Sequence, residues 1–548
     1  MGGKMLDVAI VGAGVSGVYA AWRLNASGRT VEVFEAGGHV GGRLLSVNPP
    51  DIDNMTAELG GMRILPAVQP RISRLLDVLN HTAPRGHRIE TYPFPVDEPE
   101  NIAYLRGVHL RLADFKTSPD KVPYRLGFLE HGHVPGEILL NAIEQIVPGI
   151  TDPGRTEEER RVMARRATFD GRPLHEQGFW QILIRVISGE AYQLSLDAGG
   201  YQTTLTSWNA ADAIPWYLSD FGVDPRYLGF RQGFQQVPLT LAARFEKAGG
   251  KVHLNRKLVG FTADAKEGVT LRFEGGDEVR ARALVLAMPR RSLDLIRDGS
   301  PFLRQPEVAE LVSSVTPRPL FKLFTTYEYP WWVPAGVEAG RTTTDLPVRQ
   351  TYYWPTDNGT PPGASDRSML MASYDDGLNI GFWDGFRPKR GKGWRAGAEN
   401  KPDPEWFVNE SEGSESPAAE QWSQYQAPRA MVEEVQRQLA RIHGLSFVPA
   451  VKNAAFMDWG DDPFGGGWNS WNIGVQSAHV VERIVAPVAG VPVHICGEAY
   501  SNAQGWVEGA LETAELMLRK FGVDPLPSEP PRRMKAPRMA RPAAPAAS

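Results

Sequence analysis

The spacing of hydrophobic positions changes several times along this chain, and each change predicts a different kind of element. The opening reads as a strand, a glycine turn, a helix and a second strand, over MLDVAIVGAG, VSGVYAAWRLNASG and RTVEVFEA. A near-continuous apolar strand is typical of a parallel sheet covered on both faces. Residues 71–230 instead show helical spacing, as in PGEILLNAIEQIV. The pattern therefore predicts an α/β fold whose parallel sheet is interrupted by a helical insertion.

The rest of the pattern predicts a second sheet and two exposed segments. Residues 317–450 are rich in aromatic residues and β-formers, as in LFKLFTTYEY, which favours a mixed sheet. Within them, residues 387–417 are polar and rich in Gly and Pro, so we expect an exposed loop. The predicted parts are a parallel-sheet domain in three pieces (1–70, 231–316 and 451–525), a helical domain (71–230), a sheet domain (317–450) and a disordered tail (526–548).

The composition of the chain excludes several classes of partner and of structural cross-link. Hydrophobic residues make up 42% and charged residues 22%, which is ordinary for a soluble globular chain. A net charge of -5 leaves no basic footprint for nucleic acid or an anionic membrane, and the single cysteine, Cys496, excludes disulfides within the chain and a multi-cysteine metal site. No apolar run reaches the ~20 residues that span a bilayer. We expect no nucleic-acid or membrane partner, no metal, a cytoplasmic location and, by the usual default, a homodimer.

A glycine motif directly after the first strand predicts a bound dinucleotide. In GxGxxG, Gly12 permits a tight turn, Gly14 lets the backbone approach a pyrophosphate, and Gly17 allows close helix packing. Glu35 ends the next strand, where a ribose-binding acid belongs, and an acid there disfavours a 2′-phosphate. NAD and FAD share this fingerprint. The predicted contacts are Gly12, Gly14, Val15, Ser16, Gly17, Glu35 and Ala36.

Three further blocks decide between the two cofactors. AGGHVGGR follows Glu35, AELGGMRILP spans Ala57 to Pro66, and VHICGEAYSNAQGWVEGALETAELM lies near the C-terminus. In these blocks the chain resembles the flavin amine oxidase superfamily. The resemblance implies a Rossmann-type FAD-binding domain, with further FAD contacts from Gly42, Arg43, Gly60, Gly61, Met62, Arg63, Leu258, Glu498, Gly505, Trp506 and Val507.

Within that superfamily the chain resembles L-amino acid oxidases and amino-acid 2-monooxygenases most. The resemblance implies that Arg63 and Tyr374 hold a substrate carboxylate, that Lys322 reaches the flavin through a water, and that Trp506, beside Gly505, flanks the substrate. Each residue also has an ordinary alternative. Arg63 would contact the cofactor, Tyr374 and Trp506 would pack in the core, and Lys322 would be a solvated strand residue.

Substrate specificity is expected from the helical domain. LTSWNAADAIPWYLSDFG brings Trp208, Trp216 and Phe221 close in sequence to Asp212 and Asp220. An acid in an aromatic pocket can pair with a cationic side chain such as that of lysine or arginine, so Asp220 and Trp216 are candidate substrate-binding residues. Acids in such positions are more often helix N-caps or surface groups.

The hypothesis from sequence is FAD-dependent oxidation of an L-amino acid by hydride transfer from the α-carbon. The imine hydrolyses to a 2-oxo acid and ammonia, and dioxygen becomes hydrogen peroxide. Two alternatives stay open: a 2-monooxygenase that converts the amino acid to an amide with loss of carbon dioxide, and a primary-amine or polyamine oxidase.

Overall fold

The computed structural model describes residues 5–526 apart from 51, 54, 85, 222–225, 355–362, 364, 389–404 and 415. Most of the predicted exposed loop and all but the first residue of the predicted disordered tail lie outside the described residues. The described strands are, in chain order, β1 (Leu6–Val11), β2 (Val31–Phe34), β3 (Ser46–Val47), β4 (Ala57–Glu58), β5 (Thr91–Pro93), β6 (Ile102–Leu105), β7 (Val108–Arg111), β8 (Thr168–Phe169), β9 (Arg172–Pro173), β10 (Leu228–Phe230), β11 (Lys251–His253), β12 (Leu258–Asp264), β13 (Gly268–Phe273), β14 (Glu278–Leu286), β15 (Val315–Arg318), β16 (Phe321–Tyr327), β17 (Arg341–Thr344), β18 (Gln350–Tyr353), β19 (Ser368–Asp375), β20 (Ala454–Asp458), β21 (Trp468–Trp471) and β22 (Val493–Ile495).

Helices connect these strands and form most of the insertion. They are α1 (Val15–Ala26), α2 (Pro70–His81), α3 (Asp114–Thr117), α4 (Pro135–Ile146), α5 (Glu157–Arg166), α6 (Phe179–Val186), α7 (Gly189–Ala198), α8 (Thr203–Thr206), α9 (Ala210–Phe221), α10 (Gln236–Lys247), α11 (Arg290–Ile296), α12 (Pro306–Ser313), α13 (Ile380–Asp384), α14 (Pro417–Ser423), α15 (Arg429–Ile442), α16 (Ser477–Ile484) and α17 (Val507–Lys520). Within the described part of the chain, none is both long and apolar enough to cross a bilayer.

The first sheet joins the three predicted pieces of the parallel domain. β1 pairs in parallel with β2 and with β14, β11 adds to β2, and β22 adds to β14. β13 and β12 extend the sheet in antiparallel fashion. The buried residues of β1 pack against α1, and α1 packs in turn against α10 and α17. The predicted Rossmann-type α/β architecture is confirmed.

The second sheet is mixed, as predicted, but it draws strands from outside residues 317–450. Its order is β20-β16-β19-β18-β17-β6-β7. β6 and β7 come from the segment expected to be helical, and β20 from the last piece of the parallel domain. Strands of four or five residues carry too little periodicity to stand out beside long helices. β6 and β7 form a hairpin, and the pairing of β6 with the distant β17 places this hairpin in the sheet.

Alternating side chains of β16 separate an apolar core from a second, site-facing layer. Phe321 and Leu323 pack into a cluster with α15, whereas Phe324 packs with aromatic residues that surround Tyr374. Lys322 has the same parity as Phe324, so the period of two directs it toward that second layer.

Candidate active site

A cavity of about 790 Å³ lies where both sheets and the helical insertion meet. This is within the usual size range for a cofactor and substrate site. All but one of the residues that the sequence analysis assigned to the cofactor or the substrate lie in its wall. They are Gly12, Gly14, Val15, Ser16, Glu35, Ala36, Gly42, Arg43, Gly60, Gly61, Met62, Arg63, Trp216, Asp220, Leu258, Lys322, Tyr374, Glu498, Gly505, Trp506 and Val507.

Gly17 is the exception, and its role is packing. A Cβ on Gly17 would lie 1.9 Å from the carbonyl oxygen of Gly12, so α1 can pass this closely beneath the turn only with glycine there. Gly12 itself has φ +104, and a Cβ there would lie 2.4 Å from the carbonyl oxygen of Ala287. The turn therefore exposes backbone N–H groups at the start of α1, a surface suited to a pyrophosphate.

The carboxylate of Glu35 lies at the end of β2, as predicted. Its oxygens accept hydrogen bonds from the backbone N–H of Ala13, at 2.7 Å, and of Gly37, at 2.8 Å. Leu258, which the resemblance assigns to the cofactor, lies in the same wall.

Arg43 and Glu498 form an ion pair that joins the Gly-Gly-Arg loop to the start of α17. Nη2 of Arg43 lies 2.8 Å from Oε2 of Glu498, and the backbone N–H of Gly505 donates to Oε1 at 2.7 Å. The glycine cradle, the two helix N-termini and this arginine fit the phosphates and flavin edge of FAD. In that fit, Gly14 and Arg43 would hold phosphate, Glu35 the ribose, and Val507 the flavin edge.

Arg63 is a buried cation without an ion-pair partner among the described residues. Its side chain is held by two hydrogen bonds of 3.2 Å, donated to the hydroxyls of Tyr352 and Tyr201. Its guanidinium carbon lies 4.1 Å from the ring centroid of Tyr227. A desolvated guanidinium in a cavity wall is suited to a carboxylate ligand.

Lys322 and Tyr374 lie directly opposite each other on β16 and β19. Lys322 is 1% exposed, so it is not the solvated strand residue of the alternative interpretation. Its Nζ donates to the carbonyl oxygens of Glu58, at 2.9 Å, and Gly60, at 2.5 Å, and lies 5.0 Å from the ring of Tyr374. In its protonated form Lys322 has three N–H donors, of which these two bonds use two, so one is left for the cavity.

The carboxyl group of Glu58 is buried beside this lysine. It accepts hydrogen bonds from Oγ of Ser46 and from the backbone N–H of Phe234. Burial raises the pKa of Glu58 and lowers the pKa of Lys322, while the opposite charges of the two groups counter both shifts. Whether their one shared proton resides on Lys322 or on Glu58, the pair adds no net charge to the site.

Aromatic rings complete the wall on the side of the helical insertion. Trp506 stacks on Tyr227 with 6.5 Å between centroids, and Trp216 stacks on Trp468 at 6.0 Å. The indole N–H of Trp216 donates to the carbonyl of Gln504, which fixes that ring against the start of α17.

The two acids of α9 have different surroundings. Asp212 is absent from the cavity wall. It accepts a hydrogen bond from Ser477 and lies 3.8 Å from Arg165, so its role is structural, but it is neither a helix N-cap nor a surface group. Asp220 lies in the wall and accepts a 2.7 Å hydrogen bond from the hydroxyl of Tyr227. Burial raises the pKa of Asp220, and the charge of Arg63 opposes this. The side chain of Phe221 lies outside the described residues.

Sequence reasoning missed the tyrosines that surround Arg63. Tyr352 had a usable signal, because Gln350 and Tyr352 share one face of β18 whereas Tyr353 points to the other. Tyr201 and Tyr227 lie in loops without periodicity, and their sequence carries no comparable signal. Among the described residues, no group of three His, Cys, Asp or Glu is placed to hold a metal ion.

Known proteins resemble this chain along most of its length. The family model for flavin containing amine oxidoreductase matches residues 15–385 and 413–516. Aplysianin-A of Aplysia kurodai is 27% identical over 544 residues, which cover 94% of this chain and 90% of the relative. An L-amino-acid oxidase of Sistrurus catenatus edwardsii is 25% identical over 359 residues, 64% of either chain.

The fold is also that of a solved relative. The structure of putrescine oxidase bound to putrescine has a TM-score of 0.65 and 20% identity, and the match covers 94% of this chain and 99% of that one. The family model, the Rossmann-type sheet and the glycine-lined cavity agree with one another. The chain thus belongs to the flavin containing amine oxidoreductase family and is an FAD-dependent oxidoreductase.

Proposed function

We propose that the protein oxidises an L-amino acid at its α-carbon, with the substrate carboxylate bound to Arg63. The observation that carries this is the buried guanidinium of Arg63, which opens on the cavity without a carboxylate within ion-pairing distance among the described residues. Burying a cation unpaired costs several kcal/mol, and a substrate carboxylate would remove that cost. A primary amine without a carboxylate would not. Similarity to an L-amino-acid oxidase supports the same substrate class.

The chain's own residues bind and orient the amino acid. Arg63 holds the carboxylate with Tyr374 beside it, and Trp506 limits how the α-carbon can turn. Orientation of this kind lowers a barrier by about 7–11 kcal/mol in the best cases. Bound FAD supplies the two-electron acceptor, and dioxygen reoxidises it.

Lys322 supplies a positioned N–H donor to water or to a reacting oxygen in the cavity. The substrate loses a hydride from the α-carbon and a proton from nitrogen, and water then hydrolyses the imine. One amino acid, one dioxygen and one water give one 2-oxo acid, one ammonia and one hydrogen peroxide.

The test is a panel of the common L-amino acids and their decarboxylated amines, offered to the purified FAD-loaded protein. We expect peroxide, ammonia and a 2-oxo acid from L-amino acids. Carbon dioxide with an amide would instead assign a 2-monooxygenase, and faster turnover of the amines would assign an amine oxidase.

Arg63→Met tests the anchor itself. Removing one member of a buried charge pair costs about 3–5 kcal/mol, so kcat/KM for L-amino acids should fall roughly 10²- to 10⁴-fold. Arg318→Met is the matched control, since Arg318 is a buried arginine outside the cavity wall that bonds Ser470 and the carbonyl of Ser207. Visible absorbance reports the FAD content of both variants. Unchanged kcat/KM in Arg63→Met would rule out the proposed anchor.

A further inference from the structure

Asp220 lies in the cavity wall, and one of its carboxylate oxygens has no hydrogen-bond donor among the described residues. α9 places Asp220 one turn beyond Trp216, and both lie in the cavity wall. Asp220 is 2% exposed, and Oδ1 accepts the hydroxyl hydrogen of Tyr227. No described residue donates to Oδ2. A buried carboxylate held on one side only is costly, so this oxygen requires a partner or a proton.

Other charged residues of the cavity wall are already satisfied. Ion pairs join Arg43 to Glu498, Arg256 to Asp277, Lys257 to Glu274 and Asp462 to Arg291, while backbone N–H groups hold Glu35. Within the described part of the chain, four charged wall residues lack an ion pair within 4 Å: Glu35, which those backbone groups hold, and Arg63, Asp220 and Lys322. The last three surround the place proposed for the substrate.

The charges of these residues favour one class of substrate side chain. Lys322 with Glu58 adds no net charge, and Arg63 pairs with the substrate carboxylate. Hydride loss from the α-carbon requires a neutral amine, so a substrate with a neutral side chain brings no positive charge to the site. The charge of Asp220 would then be uncompensated in a buried site. A cationic side chain restores neutrality.

We infer that Asp220 binds the cationic end of the substrate side chain, so that the preferred substrates are L-amino acids with basic side chains. This inference rests on the proposed function. The methylene groups of such a side chain would pack on the ring of Trp216, and the aromatic wall stabilises the cation further.

The test compares matched pairs of substrates on the FAD-loaded protein. L-Lysine is compared with L-norleucine, and L-arginine with L-citrulline, because each pair keeps chain length and changes mainly the side-chain charge. We expect kcat/KM to be at least about tenfold higher for the charged member. Asp220→Asn keeps the shape and removes the charge, so the lysine-to-norleucine ratio should fall roughly 10- to 100-fold.

Asp212→Asn is the control on the same helix, since Asp212 is also a buried acid but lies outside the cavity wall. Its lysine-to-norleucine ratio should equal that of the unmodified protein. Two results would overturn the inference and leave the proposed function standing. One is equal kcat/KM for norleucine and lysine, and the other is an unchanged lysine-to-norleucine ratio in Asp220→Asn. If Asp220→Asn fails to fold, the substrate pairs on the unmodified protein still decide. No reaction with any L-amino acid would overturn the proposed function itself.

Discussion

The two ends of the cavity differ in the chemical groups that form their walls. At the cofactor end, backbone groups of Gly12, Gly14 and Gly42 form the wall, and the ion pair of Arg43 with Glu498 closes it. At the substrate end, the wall consists of buried side chains that carry charges, hydroxyls and rings. Ligand binding at the cofactor end depends on the path of the backbone. Ligand binding at the substrate end depends on which charged side chains lack an ion-pair partner.

Because of this difference, a substitution at one end should affect FAD binding and a substitution at the other should affect activity. An added Cβ at the cofactor end excludes the ligand or distorts the turn, whatever the charge of the new side chain. At the substrate end, a side chain of equal size can leave FAD bound and still remove activity. Binding of FAD and turnover should therefore respond independently.

The largest effect is expected from Gly12→Ala. A side chain at φ +104 costs about 1–3 kcal/mol, and its Cβ would overlap the carbonyl oxygen of Ala287. We expect purified protein with little bound FAD and a lower Tm, measured by visible absorbance and thermal melting. Gly136→Ala, in α4 with open space around the new methyl group, should keep both. Full FAD content in Gly12→Ala would remove the distinction between the two ends.

Lys322→Met tests the substrate end of the cavity, because methionine has nearly the size of lysine but no N–H donor. FAD should stay bound, while flavin reoxidation or imine handling slows roughly 10²-fold, because a preorganised donor is lost. Stopped-flow measurement separates the two half-reactions. Lys452→Met, an exposed lysine on ion pairs with Glu328 and Glu410, should change neither. Equal half-reaction rates in Lys322→Met would exclude Lys322 from the chemistry.

Tyr352→Phe removes one of the two hydroxyls that hold Arg63. A hydrogen bond to a charged group contributes about 1.5–3 kcal/mol, so KM for L-amino acids should rise roughly tenfold or more. Tyr353→Phe is the neighbouring control, since its hydroxyl bonds Thr342 and His443 on the other face of the sheet. A decarboxylated amine should not distinguish the two variants, because it does not use Arg63.

The smallest effect is a shift in pH dependence in Glu58→Gln. Burial lowers the pKa of Lys322, and the negative charge of Glu58 raises it again in part. Without that charge the pKa of Lys322 falls further, so the protonated amine is lost at lower pH. The half-reaction that slows in Lys322→Met should decline about one pH unit lower than in the unmodified protein. Superimposable pH profiles would show that Glu58 does not set the protonation of Lys322.

The cofactor end was predictable because its signals are local. Gly12, Gly14 and Gly17 act within a single turn, and Glu35 follows at the end of the next strand. The proposed substrate end rests on resemblance, which indicated Arg63, Lys322, Tyr374 and Trp506 without showing what surrounds them. From hydrophobic periodicity alone, a role in the site could not have been distinguished from a packing role for any of the four.

By itself, the sequence determined the parallel-sheet architecture, the dinucleotide turn and the family, since each depends on residues close together in the chain. Only the tertiary structure decided that β6 and β7 join the second sheet, that Tyr201, Tyr227 and Tyr352 converge on Arg63, and that Asp220 rather than Asp212 faces the cavity. The physical reason is that burial and charge pairing arise between segments more than a hundred residues apart. The type of a residue determines which hydrogen bonds and ion pairs it can form. The packing of distant segments determines which of them it does form.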